Sequence, residues 1–116
     1  MKNITLTILI LLLTACAKYD HKIIVKNVVE SQTIILNNKN KTDNVHAINI
    51  SVTGNIKGDG QLILMLNEKP YKTEKIAENV SLKWSGDWYS DKATIIYKAV
   101  NVTEGNIVIE YNFETI

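Results

Sequence analysis

Asn106-Ile107-Val108-Ile109-Glu110-Tyr111-Asn112-Phe113 is the stretch whose reading decides the fold. Ile107, Ile109, Tyr111 and Phe113 fall on one side of an extended chain, and Asn106, Val108, Glu110 and Asn112 on the other. Successive side chains of a strand point to opposite faces, so this period of two describes one face in a core and one toward water. The same alternation recurs from His46 to Val52, where Ile48, Ile50 and Val52 interleave with Asn49 and Ser51, and again at Val80, Leu82 and Trp84. Further strands are expected at Ile23 to Val29, Thr33 to Leu36, Gln61 to Leu66 and Thr94 to Ala99, which are apolar runs bounded by turn residues.

Between these runs lie the turns. Asn37 to Asn44 is polar throughout and reads as a loop. Lys57-Gly58-Asp59-Gly60 reads as a hairpin, because Asp-Gly supplies the positive φ angles that tight turns demand. Pro70 is expected to end the strand before it, and Gly86-Asp87 and Glu104-Gly105-Asn106 to turn the chain again. A helix competes only at Thr73 to Asn79, where Ile76 and Val80 are spaced four apart, and one helical turn is expected there. The whole predicts an all-β fold: a single antiparallel β-sandwich of about seven or eight strands, over residues 23–116.

Composition narrows the function classes. Thirteen basic residues face 12 acidic ones, and all of the basic ones are lysine. Near-neutral charge argues against a nucleic-acid partner, which needs a clustered basic footprint. Without arginine there is no guanidinium fork for bidentate recognition of phosphate or carboxylate.

The densest group of chemically able side chains is Trp84-Ser85-Gly86-Asp87-Trp88-Tyr89-Ser90-Asp91. Trp84 extends the inward set of Val80 and Leu82 and is expected in the core. Trp88, Tyr89, Asp87 and Asp91 are the candidate ligand-binding residues, since aromatic faces stack on sugars and carboxylates accept hydrogen bonds from hydroxyls. The competing reading makes them turn and core residues. Asp87 and Asp91 joined by Asp59 or Asn55 would fall short of a calcium site, which gathers six to eight oxygens. His21 and His46 are isolated from further metal ligands, so neither a metal nor a cofactor is expected. No nucleophile elbow or phosphate loop is present, and Ser31, Ser51, Ser81, Ser85 and Ser90 have no activating base nearby in sequence. Catalysis is therefore not expected. The Asn-x-Ser/Thr matches at Asn40, Asn49, Asn79 and Asn101 are attributed to the abundance of asparagine.

The start of the chain carries a different signal. Lys2 is followed by a nearly unbroken apolar run from Ile4 to Leu13, then Thr14-Ala15-Cys16. A basic residue, a short apolar run and small residues make a secretory signal peptide, and the run is too short to span a bilayer. Leu13-Thr14-Ala15-Cys16 resembles the lipobox of bacterial lipoproteins. That resemblance implies cleavage before Cys16, a diacylglyceryl group on its thiol and acylation of its amine, with residues 1–15 as leader and 16–22 as tether. Ala17 after the cysteine, rather than aspartate, implies the periplasmic face of the outer membrane. Cys16 is the only cysteine, so the mature domain has no disulfide. A tether this short keeps the folded body within about 20 Å of the lipid. The expected role is a membrane-anchored binding or interaction module with an envelope protein as partner. The alternative is a glycan- or peptidoglycan-binding module using Trp88 and Tyr89, and an envelope hydrolase comes last.

Overall fold

The computed structural model describes residues 19–39 and 44–116. The leader, Cys16 and residues 40–43 of the predicted loop lie outside the described residues. Among the described residues six strands are formed: β1 His21–Ile24, β2 Gln32–Asn37, β3 Val45–Leu66, β4 Lys69–Asp87, β5 Lys92–Ala99 and β6 Glu104–Thr115. Every pairing is antiparallel, in the order β1-β6-β3-β5-β2, with β4 on the other edge of β3.

One device turns this single sheet into a sandwich. β3 pairs with β4 from Ala47 to Leu66. Its opposite edge pairs first with β6, from Val45 to Lys57, and then with β5, from Gly60 to Leu64. Between the two, Ile56 faces Glu78 and Asp59 faces Ala77, so Lys57 and Gly58 have no partner in β4. Such bulges bend a strand and increase its twist. Each of the long strands thus serves both layers. β1, β6, the first part of β3 and the last part of β4 make one layer; β2, β5 and the remaining halves make the other. The expected all-β sandwich is the observed one, with six continuous strands in place of seven or eight because two of them are used twice.

The bulge inserts an even number of residues, and that preserves the phase of the alternation. Ile48, Ile50, Val52 and Ile56 are buried before it, Leu62 and Leu64 after it, all at even positions. A one-residue slip would turn the later half inside out. From β6, Ile107, Ile109, Tyr111 and Phe113 enter the same core, as the alternation predicted. β5 adds Ala93, Ile95 and Tyr97, and β2 adds Ile34 and Leu36. The Tyr97 hydroxyl donates to Val28 O at 2.5 Å, closing the core under the β1–β2 connection. Burial pushes the Tyr97 and Tyr111 hydroxyls above the ordinary tyrosine pKa of 10.0.

Several local expectations are overturned. Lys57 to Gly60 does not form a hairpin: Gly58 takes φ 116° inside the bulge, and the ladder to β4 continues on both sides of it, so the paired strands bend together into the second layer. The reversal comes ten residues later, at Asn67 and Glu68, both with positive φ (51° and 63°) although neither is glycine. Thr73 to Asn79 is strand, not helix, because Ile76 and Val80 face the core on either side of Glu78. Pro70 lies within β4 opposite Met65, on an edge strand, the place in a sheet where proline is tolerated. The first strand also ends early, at Ile24, since Asn27 turns the chain with φ 50°.

Gly54 has φ 152°, and a Cβ there would drive into the carbonyl of Asn106 on β6. Gly86 has open space around its Cα. Gly54→Ala is expected to cost on the order of 1–3 kcal/mol through backbone strain, and Gly86→Ala to stay within about 0.5 kcal/mol. Urea midpoints of the two variants check the contrast.

Candidate functional site

The end of β4 and the β4–β5 connection hold all four predicted binding residues, and the structure assigns them different surroundings. Trp88 extends the ladder beyond β4, its N–H donating to His46 O at 3.1 Å. Its indole N–H donates to Lys92 O at 3.0 Å across the connection. With its polar atom satisfied, the ring packs into the core and is only 5 % exposed. Tyr89, its neighbour, is 78 % exposed. Asp87 is exposed at the end of β4. Asp91 is half-buried and held to the end of β2: Asn38 donates its backbone N–H to Asp91 O at 2.8 Å and its side-chain amide to the carboxylate at 3.2 Å. Trp84, opposite Ile50, is a core residue as expected.

Sequence reasoning missed what packs around this connection. Leu64 pairs with Lys72 and Met65 with Pro70, so Tyr71 has no partner in β3. That bulged residue brings its ring to 6.5 Å from Trp88. Seventeen positions of sequence and an irregular register separate the two, and no local pattern links them. Where the β3–β4 turn meets the connection, Met65, Leu66, Trp88, Ser90, Lys92 and Ile96 line an open groove of about 420 Å³. A second groove of about 470 Å³ lies at the bend, between Asp59, Gln61, Lys75, Ile76 and Val100.

The acidic groups weighed for calcium are far apart in the fold. Asn55 and Asp59 flank the bend, whereas Asp87 pairs with Ala47 at the other end of β3. Among the described residues no three His, Cys, Asp or Glu side chains come together as a metal site would require. His21 is the first residue of β1 rather than part of a tether; its ring stacks on Tyr111 at 4.8 Å and its Nδ1 bonds Asp20 at 2.6 Å. Ser90 Oγ accepts the Lys92 N–H at 3.2 Å, and neither histidine lines a groove.

No protein-family model matches the sequence, and no curated protein matches it. Among solved structures, one described as "CBM4 structure and function" is similar at a TM-score of 0.38 and 10 % identity over 74 % of this chain. The chain spans 59 % of the length of that structure.

The division between Trp88 and Tyr89 is directly measurable. Trp88→Ala should cost about 3–5 kcal/mol, the range for removing a large buried aromatic ring. Tyr89→Ala should change stability by less than about 0.5 kcal/mol, as exposed substitutions do. Denaturant titration of both variants provides the check.

Proposed function

We propose that this chain is a small lipoprotein of the bacterial cell envelope, held to a membrane through Cys16, and that its sandwich binds another envelope protein rather than catalysing a reaction. The observation that carries the binding role is β4. Its 19 residues pair with β3 on one side only, and all of them except Ile76, Val80, Leu82 and Trp84 are exposed. An edge strand presents a row of backbone N–H and C=O groups that an extended partner segment can satisfy. Lys69, Lys72 and Lys75 stand against Glu74 alone in the first part of the strand, which favours an acidic segment. The absence of a histidine from both grooves and the engagement of Ser90 Oγ by a backbone amide support binding over catalysis.

The anchor rests on the lipobox-like Leu13-Thr14-Ala15-Cys16. Its direct test is the mass of the mature N-terminal peptide, which should show acylated Cys16 and no leader; an unmodified thiol there overturns the anchor. The partner is tested by proline substitution in the edge. Backbone amides of neighbouring strand residues point to opposite sides, so one of Thr73→Pro and Glu74→Pro removes an outward N–H and the other a ladder bond to β3. One variant should unfold at markedly lower temperature. The other should keep its fold and lose the stoichiometric partner that the lipidated wild type retains in membrane pull-downs. Retention of that partner by the folded variant, or wild-type pull-downs that recover none, sinks the edge-pairing role.

A second reading, a glycan-binding module, has one observation in its favour: exposed Tyr89 adjoins the groove that Trp88 lines. Tryptophan fluorescence titrated with cell-wall fragments separates the two readings. A protein binder gives no saturable change, whereas saturable quenching lost in Tyr89→Ala transfers the assignment to glycan.

A further inference from the structure

The strand registers assign the exposed apolar side chains to ends of the sandwich. β3 starts at Val45 beside Thr115, runs to the bend, and returns in the other layer to the turn at Asn67. Trp88 N–H bonds His46 O, Asn38 N–H bonds Asp91 O, and Ile116 N–H bonds Asn44 O, all at the same end. Leu66, Tyr89 and Ile116 therefore share one end of the body, and the last two are 78 % and 90 % exposed. Val100 lies at the opposite end, where its N–H bonds Asp59 O in the bend.

β1 leads backward toward that same end. β1 is antiparallel to β6, with His21 beside Tyr111 and Ile24 beside Val108, so the direction backward from His21 is toward Thr115. Tyr111 to Thr115 covers about 13 Å at the rise of a strand. Cys16 to His21 covers at most about 18 Å when fully extended. Only about 5 Å of reach remains between the end face and an acylated Cys16.

We infer that this end of the sandwich rests on the lipid surface, with Tyr89, Leu66 and Ile116 seated at the headgroup boundary. The inference depends on the anchor proposed above. Tyrosine suits that boundary, having an apolar ring and a hydroxyl that stays hydrated, and aliphatic side chains beside it bury against acyl chains. Charges of both signs stand at this end, Glu68, Asp87, Asp91 and Glu114 beside Lys69 and Lys92, so the inferred contact rests on the apolar side chains. The bend and the first groove's counterpart beside Val100 then face away from the membrane.

A single-cysteine labelling series tests the orientation, because acylation leaves no free thiol at Cys16. Tyr89→Cys, Ile116→Cys, Val100→Cys and Ile24→Cys are each spin-labelled in the lipidated protein. They are then reconstituted in vesicles of phosphatidylethanolamine and phosphatidylglycerol. The ratio of oxygen to nickel-chelate accessibility should rise several-fold at positions 89 and 116 over its value at 100 and 24. Vesicle flotation with all four labels in water, or lipid contact at position 24 instead, overturns the orientation and leaves the anchor standing. Failure to float together with a labelled Cys16 removes the anchor and the inference with it.

Discussion

The constraint on which the structure depends is the change of neighbour along β3. One strand must leave β6 and take up β5 without breaking its pairing to β4. Lys57 and Gly58 make this geometrically feasible, but a bulge leaves backbone groups that need partners. The β5–β6 connection supplies them. Val100 and Asn101 donate their N–H groups to Asp59 O, Thr103 donates to Lys57 O, and the Asn101 side chain accepts from the Asp59 N–H. Val102 is buried in the same connection and fixes it to the core. The Lys57–Glu104 ion pair at 3.0 Å joins the same two segments, yet both side chains are well exposed, so its contribution is small. The corner is held by backbone hydrogen bonds, the Asn101 side chain and one valine.

A sandwich made from one curled sheet has edges that do not meet, and this chain has no disulfide to tie them. Side-chain hydrogen bonds across the opening take that role. The Tyr111 hydroxyl of β6 donates to Asn37 O at the end of β2, 3.3 Å away, and Tyr97 does the same for Val28. Tyr111 also stacks edge-on with Phe113 at 5.9 Å and carries His21 on its face. Each tyrosine thus gives a large apolar ring to the core and places its one polar atom on a backbone carbonyl of the facing segment. Burial strips water from the phenolate form, and this desolvation moves both hydroxyls upward in pKa.

How much of this was legible from residues follows from where the period of two is unbroken. β6, β5 and β2 alternate cleanly, and each was read within two residues of its observed limits. β3 and β4 were read as pieces, because a bulge resembles a turn when only local propensity is visible. Gly58 has the positive φ expected of a hairpin glycine, but the reversal is decided by what pairs on either side. Asn67-Glu68 was passed over for the opposite reason: a tight turn without glycine gives a weak signal, and the closure of the long ladder imposes the strained φ angles there. For the site, Trp84 was legible from alternation. The burial of Trp88 was not, since the regular pattern stops at Gly86 and its environment comes from Tyr71 and the Lys92 carbonyl.

The long hairpin also sets how an edge can be open to a partner without being open to every chain. β4 begins at the end that holds the termini, climbs to Glu78 at the bend, and descends in the other layer to Asp87. Its free edge is therefore bent at Glu78 and kinked again at Tyr71, where the register slips. A flat strand from another copy would match only one half, and the lysines at 69, 72 and 75 would face one another in a symmetric pairing. Bulges, lysine and proline on an edge are the devices by which sheets resist indiscriminate association. Here they leave a short run, from Lys72 to Ala77, that is straight, positively charged and unpaired on one side. A segment long enough to pair with that run and carrying the opposite charge meets none of those obstacles, so the features that oppose self-association also suit the partner proposed above.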